Sequence, residues 1–212
     1  MRLKRFRLCN YKSIKDSGWC WVASDLTILA GKNESGKTAV LEALRDFDIE
    51  AVLPPTSTPI QNDNEPVLDL VFDLGASDIE EIVQALNPLL HETALERLLA
   101  NDELALSKDY ADTYLLPDEV MELIAADPNY EAPAVTTYLK TLLPRFVFFS
   151  SFEDVLPFET DLATAASNPA VADFAEVAGI DLAALAGLAS TQKRKNLLRR
   201  SSGSEDRRPN PR

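Results

Sequence analysis

An eight-residue segment near the amino terminus constrains the fold more than any other feature of this sequence. Residues 31–38 read G-K-N-E-S-G-K-T and fill every fixed position of G-x-x-x-x-G-K-[ST], the pattern of a phosphate-binding loop. The apolar, β-prone residues 26–30 precede the loop and predict a buried strand. Residues 39–45 follow it with helical periodicity. Strand, glycine-rich turn and helix are the setting that this loop requires, and they predict an α/β fold.

Each fixed position of the loop has a chemical role. Gly31 and Gly36 permit turns that bring backbone N–H groups close to phosphate oxygens. These N–H groups lie at a helix N-terminus, where unpaired donors and the macrodipole favour an anion. Lys37 can place its charge on the phosphates, and Thr38 can offer its hydroxyl to Mg²⁺. We therefore predict ATP and Mg²⁺ as ligands, with Thr38 at the metal and a nucleotide site made of Gly31, Lys32, Asn33, Glu34, Ser35, Gly36, Lys37, Thr38 and Ala39.

Composition narrows the class of protein. The chain has 212 residues, of which 46% are hydrophobic, yet no apolar run is long enough to cross a membrane. The first residues carry charges where a signal peptide would be apolar, so we expect a cytoplasmic protein with no membrane partner. Cys9 and Cys20 are too far apart for a C-x-x-C motif. A single histidine, His91, gives little support to a histidine-rich metal site or a Ser-His-Asp hydrolase.

Charge is distributed unevenly along the chain, although the formal net charge is −13. Residues 1–45 hold nine Lys or Arg and four Asp or Glu, whereas residues 46–192 hold four and 28. Residues 193–212 are basic again, with eight Lys or Arg and two Asp or Glu. The acidic middle would repel nucleic acid over most of its surface, while both ends could attract it.

Four regions follow from these patterns. Residues 1–75 are expected to form the phosphate-loop lobe, with alternating strands at residues 2–9 and 67–74 and a β-meander before the loop. An acidic helical insert with a returning core strand at residues 143–149 is expected over residues 76–158. We expect helices over residues 159–192 and a basic, disordered tail over residues 193–212.

The first 47 residues resemble a known family. The segments N-Y-K-S-I and L-T-I-L-A-G-K-N-E-S-G-K-T-A-V-L-E-A-L are similar to the amino-terminal lobe of ABC-type ATPases of the SMC/RecF class. Within that class the resemblance is closest to the overcoming-lysogenisation-defect (OLD) proteins. It implies a P-loop NTPase fold with an ABC-ATPase-like amino-terminal lobe, and it places Lys12 and Ser13 near the nucleotide. It also implies a homodimer or a partner ATPase subunit, with DNA repair or phage defence as the context.

Other motifs of these ATPases are not recognisable in the sequence. Asp73 ends an alternating strand, and Leu74 stands where a catalytic Glu should follow. Ser150 and Ser151 replace the Asp-Glu pair that would follow the apolar run at residues 146–149. We therefore assign no catalytic residue and interpret the chain as an ATP-binding lobe that lacks its catalytic half. Weak or no hydrolysis by the isolated chain is expected.

Two alternatives remain open. The chain could be a stand-alone nucleotide-binding module that regulates or partners a full-length ATPase. It could also be a small P-loop kinase, in which Lys37 and Thr38 would have the same roles. Such kinases need an arginine-rich lid, and residues 46–192 offer only Arg97 and Arg145.

Overall fold

A computed structural model describes residues 1–48, 51–59, 64–126, 132–148, 156–157 and 160–187. The chain divides into two compact units, Met1–Phe146 and Val147–Arg212. The first unit contains the sheet, the loop and most of the helices. Among the described residues, no helix has the length and apolar character needed to cross a membrane.

The described strands of the first unit form one antiparallel sheet in the order β2-β1-β4-β5-β6, and β3 pairs with β1. Since β3 pairs with β1 rather than with β2, the first three strands are not a simple meander. Their bounds are Arg2–Tyr11 (β1), Ile14–Asp16 (β2), Cys20–Trp21 (β3), Val67–Asp73 (β4), Glu103–Asp109 (β5) and Tyr114–Leu115 (β6).

Alternation along the strands separates the two faces of the sheet. Phe6 on β1 pairs with Leu70 on β4, which pairs with Leu106 on β5, and all three side chains are buried. The alternating strands predicted near residues 2–9 and 67–74 are confirmed as β1 and β4. β5 and β6 extend this sheet from within residues 76–158, where we expected an acidic helical insert.

The structure describes seven α-helices, and those of the first unit are interspersed with the strands in sequence. In the first unit these are α1 (Lys37–Asp46), α2 (Ala76–Leu86), α3 (Glu92–Leu98), α4 (Asp118–Ala125) and α5 (Ala132–Leu142). The second unit contributes α6 (Pro169–Val177) and α7 (Leu182–Gly187). Short 3-10 turns lie at Pro55–Ser57, Ala100–Asp102 and Ala165–Ser167.

The core of the first unit is centred on Phe47, which follows α1 directly and is fully buried. Its ring lies 5.3 Å from that of Tyr114 and 6.2 Å from that of Phe146, both in edge-on geometry, and 6.3 Å from that of Phe72. Aromatic pairs prefer such tilted arrangements because of their quadrupoles. The end of α1 is therefore packed into the centre of this unit.

The buried strand predicted at residues 26–30 is a wrong prediction for this structure. These residues form no backbone hydrogen bond with any described residue, and Leu26 and Ile28 are 71% and 76% exposed. Propensity alone does not make a strand, because a strand exists only when another strand pairs with it. No described strand pairs with this segment.

The later run predicted as a strand also forms none where it is described. Residues 144–148 have no regular secondary structure, and residue 149 lies outside the described residues. Ser150, Ser151 and the predicted tail at residues 193–212 also lie outside them.

Candidate functional site

The segment from Gly31 to Gly36 forms an exposed loop that leads directly into α1. Gly36 is the N-cap of the helix and has a φ of 88°, in the left-handed region that residues with a Cβ rarely adopt. At Gly31 the constraint is spatial, because an added Cβ would lie 2.6 Å from the Ser35 hydroxyl oxygen. The backbone conformation thus favours glycine at position 36, whereas at position 31 a Cβ would only displace the Ser35 hydroxyl.

The side chain of Lys37 folds back over this loop. Its Nζ donates hydrogen bonds to the carbonyl oxygens of Gly31 at 2.9 Å and Lys32 at 2.7 Å. The Ser35 hydroxyl oxygen lies 3.4 Å from the same nitrogen. The ammonium group thus lies among three oxygens of the loop, close to the start of α1.

No side chain caps the N-terminus of α1, because Gly36 has none to offer. The first N–H groups of a helix have no acceptor within the helix, and the helix dipole adds partial positive charge there. Thr38 is exposed at this end, so its hydroxyl is accessible for a metal ion. Ala39 differs from the rest of the predicted site, since its side chain is buried and only its backbone could contact a ligand.

The turn after β1 lies beside this helix end. Ser13 Oγ is 3.7 Å from the position that a Cβ on Gly36 would occupy. Lys12 has a positive φ of 50°, and its Nζ forms an ion pair with Glu42 of α1 at 2.6 Å. The structure therefore brings Lys12 and Ser13 next to the loop, about 20 positions away from it in sequence.

Several polar side chains hold the other end of α1, and sequence reasoning missed them. The Tyr11 hydroxyl donates to Asp46 Oδ2 at 2.5 Å, and Arg45 donates to Oδ1 of the same carboxylate. Burial, and then the hydrogen bond with Asp46, raise the pKa of Tyr11. Lys108 also contacts this end of the helix, and the sequence contained a signal for it. It interrupts the apolar alternation of Leu104 and Leu106 on β5.

Lys108 occupies the core-facing position of that alternation and is 1% exposed. Its Nζ donates to the carbonyl oxygens of Asp46 at 2.8 Å, Ala51 at 2.7 Å and Asp48 at 3.2 Å. Burial lowers the pKa of Lys108, and the Asp112 carboxylate 3.5 Å away opposes this shift.

The carboxylates of β4 are engaged away from the loop. Asp73 forms ion pairs with Arg2 and Lys4, each at 2.8 Å, and hydrogen bonds from these two groups lower the pKa of Asp73. Asp69 accepts a hydrogen bond from Ser107. Among the described residues, no group of three or more His, Cys, Asp and Glu side chains converges on one point.

One comparison with known proteins matches the amino-terminal segment. Residues 1–50 match a family model described as an AAA domain. This match covers 50 of 212 residues and supports a P-loop ATPase family for that segment. No curated protein matches the chain.

Five chains of solved structures also match. One of them comes from work described as "Structural biochemistry of ATP-driven dimerization and DNA stimulated activation of SMC ATPases". It is 15% identical to this chain, with a TM-score of 0.35 over 66% of this chain and 92% of that chain. A similarity this low carries no argument about function.

Proposed function

We propose that residues 31–38 bind ATP together with Mg²⁺. The observation that carries this proposal is the arrangement at the start of α1: an uncapped helix N-terminus, a loop turned by Gly31 and Gly36, and the Lys37 ammonium folded over that loop. These groups fit a phosphate chain, because backbone N–H groups and one point charge are what a polyphosphate needs from a protein.

The residues would act as follows. Three loop oxygens lie 2.7–3.4 Å from Lys37 Nζ and accept hydrogen bonds from it. A bound anion would accept hydrogen bonds from the same ammonium group. Phosphate oxygens can replace the loop oxygens without a large movement of the side chain. The exposed Thr38 hydroxyl would be one ligand of Mg²⁺, which otherwise keeps water ligands and neutralises phosphate charge.

Lys12 and Ser13 are proposed as secondary contacts to the nucleotide. Their turn lies against Gly36, and Lys12 is held by Glu42 at the side of α1. The resemblance of residues 1–47 to SMC/RecF-class ATPases supports the same assignment. Because Lys12 is already paired with a carboxylate, its contribution would be smaller than that of Lys37.

We also propose that the rest of a catalytic site comes from outside the described residues. Within the described part of the chain, Lys37 and Thr38 form no hydrogen bond or ion pair with a carboxylate. Hydrolysis needs a group that orients the attacking water, besides the groups that hold the phosphates. The sequence resemblance supports an SMC/RecF/OLD-type ATPase, working on DNA in repair or phage defence, as the wider context.

The proposal is tested by calorimetric titration of the full chain with MgATP. Lys37→Ala should weaken binding about ten- to a hundredfold, because a charge-assisted hydrogen bond contributes roughly 1.5–3 kcal/mol. The matched control is Lys15→Ala, which removes an exposed lysine charge outside the loop. Equal affinities of wild type and Lys37→Ala would show that ATP does not bind at this loop.

A second candidate function is favoured by the exposed segment at residues 26–30. A stand-alone module that partners another ATPase would present the exposed apolar side chains and unpaired backbone groups of this segment to the partner. Sedimentation of the chain with and without MgATP separates the two candidates. Assembly that persists without nucleotide would favour the interaction module over an ATP-driven lobe.

A further inference from the structure

The seating of α1 determines where the phosphate-binding loop points. The loop itself is exposed, and residues 26–30 before it form no backbone hydrogen bond with described residues. On the described part of the chain, the remaining supports are the nearby Ser13 turn and α1. The helix has ten residues and is therefore about 15 Å long. A small rotation about its far end would move the loop appreciably.

The far end of α1 is held by side chains from three strands. Lys108 on β5 donates to three carbonyl oxygens at and after the helix end. The Tyr114 hydroxyl on β6 donates to the carbonyl oxygen of Phe47, and Tyr11 on β1 donates to Asp46. Asp46 is the last residue of the helix, so its carbonyl oxygen has no donor within the helix, and Lys108 supplies one. The three carbonyl groups before it accept from the backbone N–H groups of Phe47 and Asp48.

Lys108 is the least replaceable of the three. A lysine in the core-facing register of a strand is unfavourable unless its ammonium is fully hydrogen-bonded. Here three carbonyl oxygens lie within 3.2 Å of Nζ, and the Asp112 carboxylate lies 3.5 Å away. A cation at the C-terminus of a helix also interacts favourably with the helix dipole. An apolar side chain would pack in the same space but could not hold the helix end.

We propose that Lys108, supported by Tyr114, is a positioning residue for the phosphate-binding loop. It fixes the C-terminal end of α1 on the sheet and thereby sets how the N-terminal end presents Lys37 and its N–H groups. This inference rests on the proposed ATP binding by residues 31–38. It adds to that function a requirement located about 70 residues downstream of Lys37, on β5.

The test compares two core substitutions on the same strand face. Lys108→Met keeps most of the side chain's length but removes the donors, whereas Leu106→Ala removes apolar packing two residues away. MgATP affinity is measured by calorimetry on fully folded protein, and hydrogen exchange follows the amides of α1 and β4. We expect Lys108→Met to weaken MgATP binding at least tenfold and to accelerate exchange in α1 but not in β4.

Leu106→Ala should lower the melting temperature yet leave the affinity of the folded protein within twofold of wild type. A merely structural role for Lys108 predicts the same behaviour from both variants, and that result would overturn the proposal. So would wild-type affinity together with wild-type exchange in Lys108→Met. If Lys108→Met does not fold, the MgATP affinity of Tyr114→Phe is measured instead. Binding about threefold weaker than wild type supports the proposal, and unchanged binding overturns it.

The proposed function fails separately. If wild type does not bind MgATP, the loop assignment is wrong. The inference falls with it, whatever the exchange measurement shows about the attachment of α1. If wild type binds MgATP and Lys37→Ala does not, the loop assignment stands. The Lys108 variants then test only the inference about positioning.

Discussion

The two ends of α1 satisfy their backbone groups in opposite ways. At the N-terminal end no side chain caps the helix, the loop is exposed, and the Lys37 ammonium donates to oxygens of that loop. At the C-terminal end, buried side chains of Lys108, Tyr114 and Tyr11 provide donors to the helix and to the residues after it. The proposed nucleotide would bind at the N-terminal end, whereas the C-terminal end is hydrogen-bonded to the rest of the fold.

This contrast explains how one helix can be firmly packed at one end and still have unpaired N–H donors at the other. An anion site must leave donors unpaired in the absence of its ligand, which costs stability locally. Phe47, at the centre of the core, and the polar contacts around it offset that cost at the opposite end. We therefore expect mutations at the two ends to separate stability from binding.

The largest effect on stability is expected at Phe47. Phe47→Ala should lower the free energy of unfolding by about 3–5 kcal/mol, because it leaves a cavity between three aromatic rings. The control is Leu41→Ala on the exposed face of α1, which should change stability by about 0.5 kcal/mol or less. Urea unfolding of the full chain measures both. Similar losses in the two variants would contradict a core centred on the helix end.

Alkaline pH tests the same end through its two tyrosines. Burial raises the pKa of Tyr11 and of Tyr114, so the folded chain keeps protons that the unfolded chain loses above about pH 10. Their contribution to stability is present below that pH and declines as pH rises, by up to about 1.4 kcal/mol per pH unit for each tyrosine. Tyr11→Phe should flatten the decline measured by urea unfolding above pH 10.

Lys108 contributes with the opposite sign in the same experiment. Its lowered pKa means that the unfolded chain binds the extra proton below about pH 10.4, so its contribution rises with pH up to that point. Above that point the decline caused by the tyrosines is unopposed. The half-exposed Tyr110→Phe is the control for loss of a phenol group. A decline as steep in Tyr11→Phe as in wild type would show that Tyr11 is not the source.

The smallest effect on stability is expected at the loop end. Gly36→Ala places a Cβ on a residue with a φ of 88°, which costs about 1 kcal/mol of backbone strain. The added Cβ would be 3.7 Å from Ser13 Oγ, an ordinary contact, so the cost is conformational rather than steric. Gly75→Ala, at a helix N-cap with a φ of −81°, is the matched control. A larger loss at Gly75 than at Gly36 would argue against the left-handed turn.

Local patterns in the sequence determined the loop, the helix after it and the alternating strands β1 and β4. The glycines at positions 31 and 36 and the start of α1 at Lys37 agree with the motif because each is a demand on a few neighbouring residues. The pairing of β1 with β4, which are about 60 residues apart, was not predicted, because alternation identifies the apolar face of a strand but not its partner.

The tertiary structure decided which of the apolar runs became strands and which polar groups were buried. Residues 26–30 have the composition of a strand but lie exposed, because no described strand pairs with them. Lys108 breaks the pattern of β5 and is nevertheless buried, because the end of α1 and the residues after it supply three carbonyl oxygens from about 60 positions away. Both outcomes depend on contacts between distant segments, and a pattern read over a few neighbouring residues contains no information about them.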